Sequence, residues 1–226
     1  MFYYEQMFII FVDYFILMKH LNQLSTDIRF KEGLKACINC GTCTAVCPAA
    51  QFSDYDPRII MEMVQHNDGE LLRELLSGDS IWLCGECLSC KTRCPRGNTP
   101  GYIIQSLRAL SIKTGLFAES KQGQLQLHIK RTVGEYILKY GYCVHIDEID
   151  TNYNPEQGPV WDWYKENKKS ILARLGANYN NEGPGTLRKI SMRSIQDLNA
   201  IFQETGAIER FEQIEEGIDK KLRDEK

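Results

Sequence analysis

Apolar residues recur at the three- to four-residue spacing of amphipathic helices along most of the chain. Two such segments, at 56–66 and 99–115, begin with a polar candidate cap, Asp56 or Thr99, followed by proline, which is a typical helix start. The spacing therefore predicts a mainly α fold. The faces that we expect to be buried in these two helices contain Ile59, Ile60, Met63, Val64, Ile103, Ile104 and Leu107.

The helical pattern continues beyond these two segments. Leucines at helical spacing predict a helix over 70–76, and an amphipathic stretch predicts a longer helix over 119–140. After a loop, the tail returns to helical spacing up to its charged end. We therefore expect a helical domain at 21–118 and a helical C-terminal extension at 119–226.

The segment at 1–20 is strongly apolar but carries Glu5 and Asp13. Its uncharged stretches are shorter than the roughly 20 apolar residues that a membrane-spanning helix needs. Three interpretations stay open: a helix at a membrane surface or a partner, a buried helix, or a start codon set too early, with Met18 as the true start. Direct membrane contact is therefore expected only through residues 1–18.

The composition is that of a globular protein, since 43% of the 226 residues are hydrophobic and 25% are charged. The formal net charge is −3. A broad basic surface for nucleic acid is therefore not expected.

Nine cysteines are many for this length, and eight of them fall into two short runs. Each run has the spacing C-x2-C-x2-C-x3-C-P, which bacterial two-cluster ferredoxins use to bind iron–sulfur clusters. Disulfides would be scattered along a small secreted chain, and structural zinc prefers two separated pairs of ligands. The predicted ligands are Cys37, Cys40, Cys43 and Cys47 in the first run, and Cys84, Cys87, Cys90 and Cys94 in the second.

Two 4Fe–4S clusters are the predicted cofactors, and their ligands are expected to be crossed between the runs. Three thiols spaced two residues apart suit three corners of one cubane, whereas the fourth cysteine of such a run binds the other cluster. Neither cluster then has a vacant corner, which favours electron transfer over catalysis. We assign Cys37, Cys40, Cys43 and Cys94 to cluster one, and Cys84, Cys87, Cys90 and Cys47 to cluster two.

The spacing between the runs indicates the kind of domain that holds them. Small bacterial ferredoxins place short strands around their clusters, whereas the residues between Cys47 and Cys84 have the spacing of helices. An all-helical two-cluster domain is therefore expected. Lys91, Arg93 and Arg96 flank the second run, where they either raise the potential of a cluster or are solvated and bind a partner.

Two features of the extension also allow two interpretations each. Cys143 lies apart from the runs, and we expect a packed small hydrophobe rather than a reactive thiol. Trp161, Trp163 and Tyr164 cluster between two loops. They form either part of a core or a docking patch, and the flanking loops favour docking.

The two complete runs, joined by helices and followed by NTPGYIIQSLRAL, resemble the iron–sulfur C subunit of heterodisulfide reductase and its bacterial relatives. The resemblance covers about residues 22–115 and implies the α-helical ferredoxin fold, with the eight cysteines as cluster ligands. It also implies a relay of single electrons between a flavin- or quinone-linked partner and a catalytic B subunit with a Cys-Cys-Gly domain. The tail, with GPVWDWYKEN, is similar to heterodisulfide reductase-like complexes.

The chain itself has no adjacent pair of cysteines, so we expect the catalytic site on another polypeptide. Two other functions stay open: a stand-alone ferredoxin-like shuttle, and a redox-sensing interaction module stabilised by clusters or zinc. The long helical tail favours a fixed subunit, because a diffusing carrier needs little beyond its cluster domain. We expect a cytoplasmic location, with any association with the inner face of the plasma membrane made through a partner.

Overall fold

The structure is a computed structural model that describes residues 19–152 and 155–224. Most of the apolar segment at 1–20 lies outside the described residues. Met18, the alternative start, also lies outside them. Within the described part of the chain, no helix is both long enough and apolar enough to cross a membrane.

Ten α-helices and no β-strand are found among the described residues, which confirms the mainly α fold class. Short 3-10 turns, which the hydrophobic pattern does not predict, accompany the cysteine runs at Ala49–Gln51, Ser80–Leu83 and Lys91–Arg93. The helices are α1 (19–26), α2 (Ile28–Gly33), α3 (Thr42–Ala45), α4 (Pro57–Gln65), α5 (Gly69–Ser77), α6 (Pro100–Thr114), α7 (Lys121–Tyr140), α8 (Gly158–Arg174), α9 (Met192–Glu204) and α10 (Ala207–Asp224).

The described chain forms two compact units. The first combines residues 19–126 with 212–224, and the second contains residues 127–211 apart from the two that are not described. The boundary that the sequence suggests near residue 118 stays a prediction.

The first unit is built around α6, which packs against α2, α4 and α5. The three apolar residues predicted to face the core from α6 are all buried. The buried face of α4 differs from the prediction, because Ile60 and Met61 are buried whereas Ile59 is 46% exposed. The helix packs against α5 and α6. Trp82 and Phe117 are the largest fully buried side chains of the described core.

The two proline-started helices begin where predicted but are capped differently. Asp56 accepts a hydrogen bond from the Arg58 N–H at 2.8 Å, which is the expected side-chain cap. Thr99 makes no such bond, so its predicted capping role was wrong; its own N–H donates to the Gly33 carbonyl at 2.8 Å. A Cβ on Gly33 would lie 3.0 Å from the Tyr102 Cβ. Glycine therefore allows α2 to approach the start of α6.

A hydrogen-bonded junction holds the turn that leads into the second cysteine run. Asp79, just before Ser80–Leu83, accepts hydrogen bonds from the Ser120 hydroxyl at 2.6 Å and the Gln122 N–H at 3.0 Å. These bonds lower the pKa of Asp79. The Ser120 hydroxyl also accepts from the Gly123 N–H at 2.9 Å, which caps α7. The start of α7 and the entry to the run are thus fixed together.

The second unit contains most of α7 together with α8 and α9. Trp161 and Tyr164 are half-buried and meet edge to face with ring centroids 5.6 Å apart, whereas Trp163 is 57% exposed. A docking role for these aromatic residues stays a prediction. Cys143 is exposed, so the expectation that it packs as a small hydrophobe was wrong. In this irregular segment, His145 is buried instead.

His145 is held in a polar cluster of the second unit. Its ring stacks on Tyr140 with centroids 4.1 Å apart, and its Nδ1 accepts a hydrogen bond from the Asp147 N–H at 3.4 Å. The Asp147 carboxylate is bound by Lys168 and by the Tyr179 hydroxyl. Burial lowers the pKa of His145 and outweighs the opposite effect of Asp147. The neutral ring is therefore the form that the fold accommodates.

We expect the stability of the protein to fall as the pH drops below about 6.5, because the unfolded state then takes up a proton that folded His145 resists. Burial and the charges of Lys168 and Lys139 oppose this proton, whereas Asp147 and Glu148 attract it. His145→Phe should keep the ring stack and remove this pH dependence. The free energy of unfolding should then lose a slope of up to about 1.4 kcal/mol per pH unit. Anaerobic thermal unfolding followed by circular dichroism between pH 7.5 and 5.5 measures the difference.

The matched control is His128→Phe, which changes an exposed histidine of α7. Its midpoint should depend on pH as that of the wild type does. Equal slopes for the wild type and for His145→Phe would contradict the assignment.

Candidate metal centre

Both cysteine runs lie on irregular loops of the first unit. The first run connects α2 to α4 and includes the short helix α3. The second connects the 3-10 turn at Ser80–Leu83 to α6. All nine cysteines are free thiols.

The two loops adopt the same unusual backbone at matching positions. The second and fourth residues after the first cysteine have positive φ in both runs, namely Asn39 (55°) and Gly41 (76°) in one, and Glu86 (53°) and Leu88 (59°) in the other. Only Gly41 adopts this conformation without steric cost. The other three must therefore be held in place by surrounding contacts.

The second cysteine of each run is exposed and lies beside a hydroxyl two residues later. The Cys40 sulfur is 3.3 Å from the Thr42 hydroxyl, and the Cys87 thiol lies 3.4 Å from the Ser89 hydroxyl. Hydrogen bonds from these side chains and their backbone N–H groups lower the pKa of both thiols. They favour the thiolate, which is the form that binds metal.

The third cysteine of each run is half-buried, and burial raises the pKa of Cys43 and of Cys90. The Gly101 N–H at the start of α6 partly offsets this by hydrogen bonding to Cys90. A Cβ on Gly101 would lie 2.8 Å from the Leu88 Cδ2 and 3.9 Å from the Cys90 sulfur. Glycine thus lets the helix start approach the loop.

One cavity brings thiols of both runs together. Cys84, Cys87 and Cys90 of the second run line it, and Cys47 and Cys43 of the first run reach the same space. Its remaining walls are largely apolar and include Pro57, Pro100 and Ile104. Thiolates around an apolar space suit an iron–sulfur cluster.

The predicted ligands are therefore brought together only in part by this cavity. Cys37, Cys40 and Cys94 do not line it. No three His, Cys, Asp or Glu side chains in the described ranges are arranged to hold a single metal ion.

A buried arginine that the sequence analysis missed holds the start of the second run. Arg108 donates to the Ile81 carbonyl at 2.7 Å and to the Cys84 carbonyl at 2.6 Å, and it forms an ion pair with Glu86. Its guanidinium also lies over the Trp82 ring, 5.4 Å from the centroid. A lone arginine on an apolar helix face was the only signal in the sequence.

Each cysteine run and the helix that follows it form one of two repeats, at 37–66 and 84–113. In the first repeat the run is anchored from the same two helix positions as in the second. The fifth and eighth residues after the helix-starting proline are Glu62 and Gln65 in α4, and Gln105 and Arg108 in α6. The fifth residue contacts the side chain of Asn39 at 3.0 Å in one repeat and of Glu86 at 3.3 Å in the other. The eighth residue binds the backbone of the first cysteine, because Gln65 accepts from the Cys37 N–H at 2.9 Å whereas Arg108 donates to the Cys84 carbonyl.

Tyr55 is a second residue that the sequence analysis missed. Its side chain lines the cavity and is only 3% exposed. Among the described residues its hydroxyl makes no hydrogen bond of normal geometry, although the Cys84 sulfur lies close enough to interact with it. Burial and the neighbouring sulfurs of Cys84 and Cys47 raise its pKa, so the phenol keeps its proton.

The cations flanking the second run are exposed, and both interpretations of them stay open. The Lys91 ammonium lies 5.0 Å from the centroid of the Tyr102 ring. The Arg96 Nε donates to the Ala36 carbonyl at 3.4 Å.

Comparisons with known proteins agree with this chemistry. The family model of the 4Fe–4S dicluster domain matches residues 33–98, which contain both runs. Together with the observed helices, this match confirms the α-helical ferredoxin fold class and supports binding of 4Fe–4S clusters.

Similar proteins are named as C subunits of heterodisulfide reductases. The chain is 33% identical over 201 residues to the C subunit of the ferredoxin:CoB-CoM heterodisulfide reductase of Methanosarcina acetivorans, an alignment that covers 86% of this chain and 72% of that protein. It is 32% identical over 136 residues to the iron–sulfur C subunit of the CoB–CoM heterodisulfide reductase of Methanopyrus kandleri, covering 58% and 65%. It is 28% identical over 130 residues to the C subunit of the H(2):CoB-CoM heterodisulfide,ferredoxin reductase of Methanothermobacter thermautotrophicus, covering 54% and 64%.

We expect Arg108→Met to loosen the second run, because it leaves the Ile81 and Cys84 carbonyls without their donor and Glu86 without its cation. The cost should be about 3 kcal/mol in the free energy of unfolding. Iron should also be released faster to a chelator. Anaerobic thermal unfolding and the rate of chelation measure the two effects.

Lys113→Met is the matched control, since it removes an exposed cation from the same helix. It should behave as the wild type does. Unchanged iron release and stability in Arg108→Met would show that Arg108 does not hold the run.

Proposed function

The chain belongs to the family of heterodisulfide reductase C subunits, and from this we propose that it relays single electrons through two 4Fe–4S clusters within an oxidoreductase complex. The observation that carries the proposal is the doubled cysteine run, with thiols of both runs on one cavity of an all-helical unit. When bound, each cluster would accept and release one electron at a time.

The proposed ligands of cluster two are Cys84, Cys87, Cys90 and Cys47. Their common position on one cavity supports this crossed set. Cys43 reaches the same cavity, and the charge of Cys37 acts on its pKa, which supports a second set beside the first. We assign Cys37, Cys40, Cys43 and Cys94 to cluster one by the matching spacing of the runs.

The protein's own groups would hold the clusters and tune them. Thr42 and Ser89 favour the thiolate form of the exposed second cysteines. The buried guanidinium of Arg108 fixes the loop of the second run, and the apolar cavity wall limits the approach of water. Burial, hydrogen bonds and local charge are the factors by which a protein sets the potential of such clusters.

The proposed partners are a catalytic B subunit with a Cys-Cys-Gly domain and an electron donor or acceptor linked to flavin or quinone. Relatives are named as C subunits of ferredoxin- or hydrogen-dependent heterodisulfide reductases, which supports an assembly of several polypeptides. The chain contains no adjacent cysteine pair, which supports a catalytic site on another polypeptide. We propose a cytoplasmic location, with any membrane association made through a partner.

We expect anaerobically purified protein to contain about eight irons and eight acid-labile sulfides per chain, because each cubane holds four of each. Reduction with dithionite should give the electron paramagnetic resonance signal of two interacting reduced cubanes. Metal analysis and the spectrum of the same sample check both points. About four irons would mean a single cluster, and zinc in place of iron would support an interaction module.

The crossed ligand set has its own test. Replacing Cys37, Cys40 and Cys43 together by alanine should remove cluster one and leave about four irons in cluster two. Adding Cys47→Ala to this variant should then cause loss of iron or conversion of the remaining cluster, because it removes the fourth ligand. Iron content and the paramagnetic resonance spectrum measure the result.

Adding Cys94→Ala to the same triple variant is the matched control. It should leave cluster two unchanged, since Cys94 is assigned to the cluster that has already been removed. The opposite result, with loss of iron from the Cys94 variant alone, would show that each run completes its own cluster.

A further inference from the structure

Tyr55 occupies a position that recurs in the two repeats. It lies two residues before the helix-starting Pro57, as Asn98 lies two residues before Pro100. Both side chains are buried, with 3% and 1% exposed, and both hold a hydrogen-bond donor without a partner among the described residues. These donors are the Tyr55 hydroxyl and the Asn98 Nδ2.

Both positions adjoin the fourth cysteine of a run. The Asn98 N–H donates to the Cys94 sulfur at 3.3 Å, and its Oδ1 accepts from the Lys35 N–H at 2.5 Å, which fixes the orientation of the amide. Tyr55 lines the cavity that Cys47 shares with the second run. Each repeat therefore has a buried hydrogen-bond donor near its fourth cysteine, which is the cysteine proposed to bind the cluster of the other run.

An unpartnered hydroxyl in an apolar environment is unfavourable, because it has lost its bonds to water and gained none. The cavity holds five thiols and the Ser89 hydroxyl, whereas the side chains of Pro57, Pro100 and Ile104 on its walls offer no acceptor. The nearby Cys84 sulfur, once it is a ligand of the bound cluster, or a sulfur of the cluster itself would supply the acceptor. A structural role alone would be met equally well by phenylalanine.

Resting on the proposed function, we propose that the Tyr55 hydroxyl donates a hydrogen bond to a sulfur of cluster two and raises the potential of that cluster. The geometry behind this is the buried, unpartnered hydroxyl on the wall of the cavity formed by Cys84, Cys87, Cys90 and Cys47. Tyr55 is a positioning and tuning residue, since it binds no iron itself.

The direction of the effect follows from charge. Reduction adds one electron and no proton, so the reduced cluster carries one more negative charge. A hydrogen bond to its sulfur stabilises this form more than the oxidised form. Removing the donor should therefore make the cluster harder to reduce.

The test is Tyr55→Phe in the full chain, purified anaerobically and titrated with a reductant under electron paramagnetic resonance. Iron content should stay at the wild-type value. The equilibrium constant for reduction of cluster two should fall about three- to tenfold, which corresponds to roughly 28 to 59 mV for one electron. The variant that lacks Cys37, Cys40 and Cys43 identifies the signal of cluster two.

A second substitution moves the potential in the opposite direction. Site-specific incorporation of 3-fluorotyrosine at position 55 keeps the shape of the side chain and makes its hydroxyl a stronger donor, so the potential should rise. Tyr142→Phe is the matched control, because its hydroxyl donates to the Arg188 carbonyl at 3.0 Å, in the unit without cysteine runs. It should change neither potential.

The outcomes separate the two proposals. Wild-type protein without iron would overturn the proposed function and this inference with it. Iron-replete protein in which neither substitution at Tyr55 shifts the potential of cluster two would overturn the hydrogen bond alone. Loss of iron in Tyr55→Phe together with an unshifted fluorotyrosine protein would show that the hydroxyl is needed to retain the cluster but does not set its potential, and would overturn the tuning role.

Discussion

The arrangement of this domain depends on bringing thiols from two distant runs to one cavity. The loops reach it through left-handed residues, of which Asn39, Glu86 and Leu88 are not glycine. Such turns are unfavourable by themselves and persist only when neighbouring contacts fix them. The contacts come from α4 and α6, whose fifth and eighth residues bind one loop each. Each helix therefore serves two purposes, since one face builds the core and another positions a loop.

The two repeats share this geometry but differ in its chemistry. The first loop is held by Gln65, whose amide is neutral, whereas the second is held by the buried guanidinium of Arg108. A buried charge is screened less by solvent than an exposed one, so Arg108 and its partner Glu86 influence their surroundings more strongly. Differences between two sites with the same backbone must arise at such equivalent positions. The duplication thus gives both sites the same backbone, and individual substitutions can give them different chemical properties.

The sequence predicts the helical class well, because helical spacing is a local signal. It fails where the deciding contact is distant. Thr99 has a side chain that is suited to capping, yet the bond that fixes its position is the one from its backbone N–H to the Gly33 carbonyl of another helix. Arg108 and Tyr55 carry no motif, and their roles depend on loops that lie more than twenty residues away along the chain. The exposed Cys143 was misjudged because composition alone does not tell which side of an irregular segment faces solvent.

A relay differs from an enzyme in what its protein groups must do. In the proposed relay no bond is made in the chain itself, so selection would act on potential, on distance and on access of water. Each of these is set by residues around the thiols rather than by the thiols, which are the same in both runs. The cysteine spacing therefore identifies the cofactor, whereas the chemistry of positions such as Tyr55 and Asn98, one a phenol and one an amide, determines how two similar sites come to differ. Equivalent positions in a duplicated domain are for this reason the most informative places to look for its direction of electron flow.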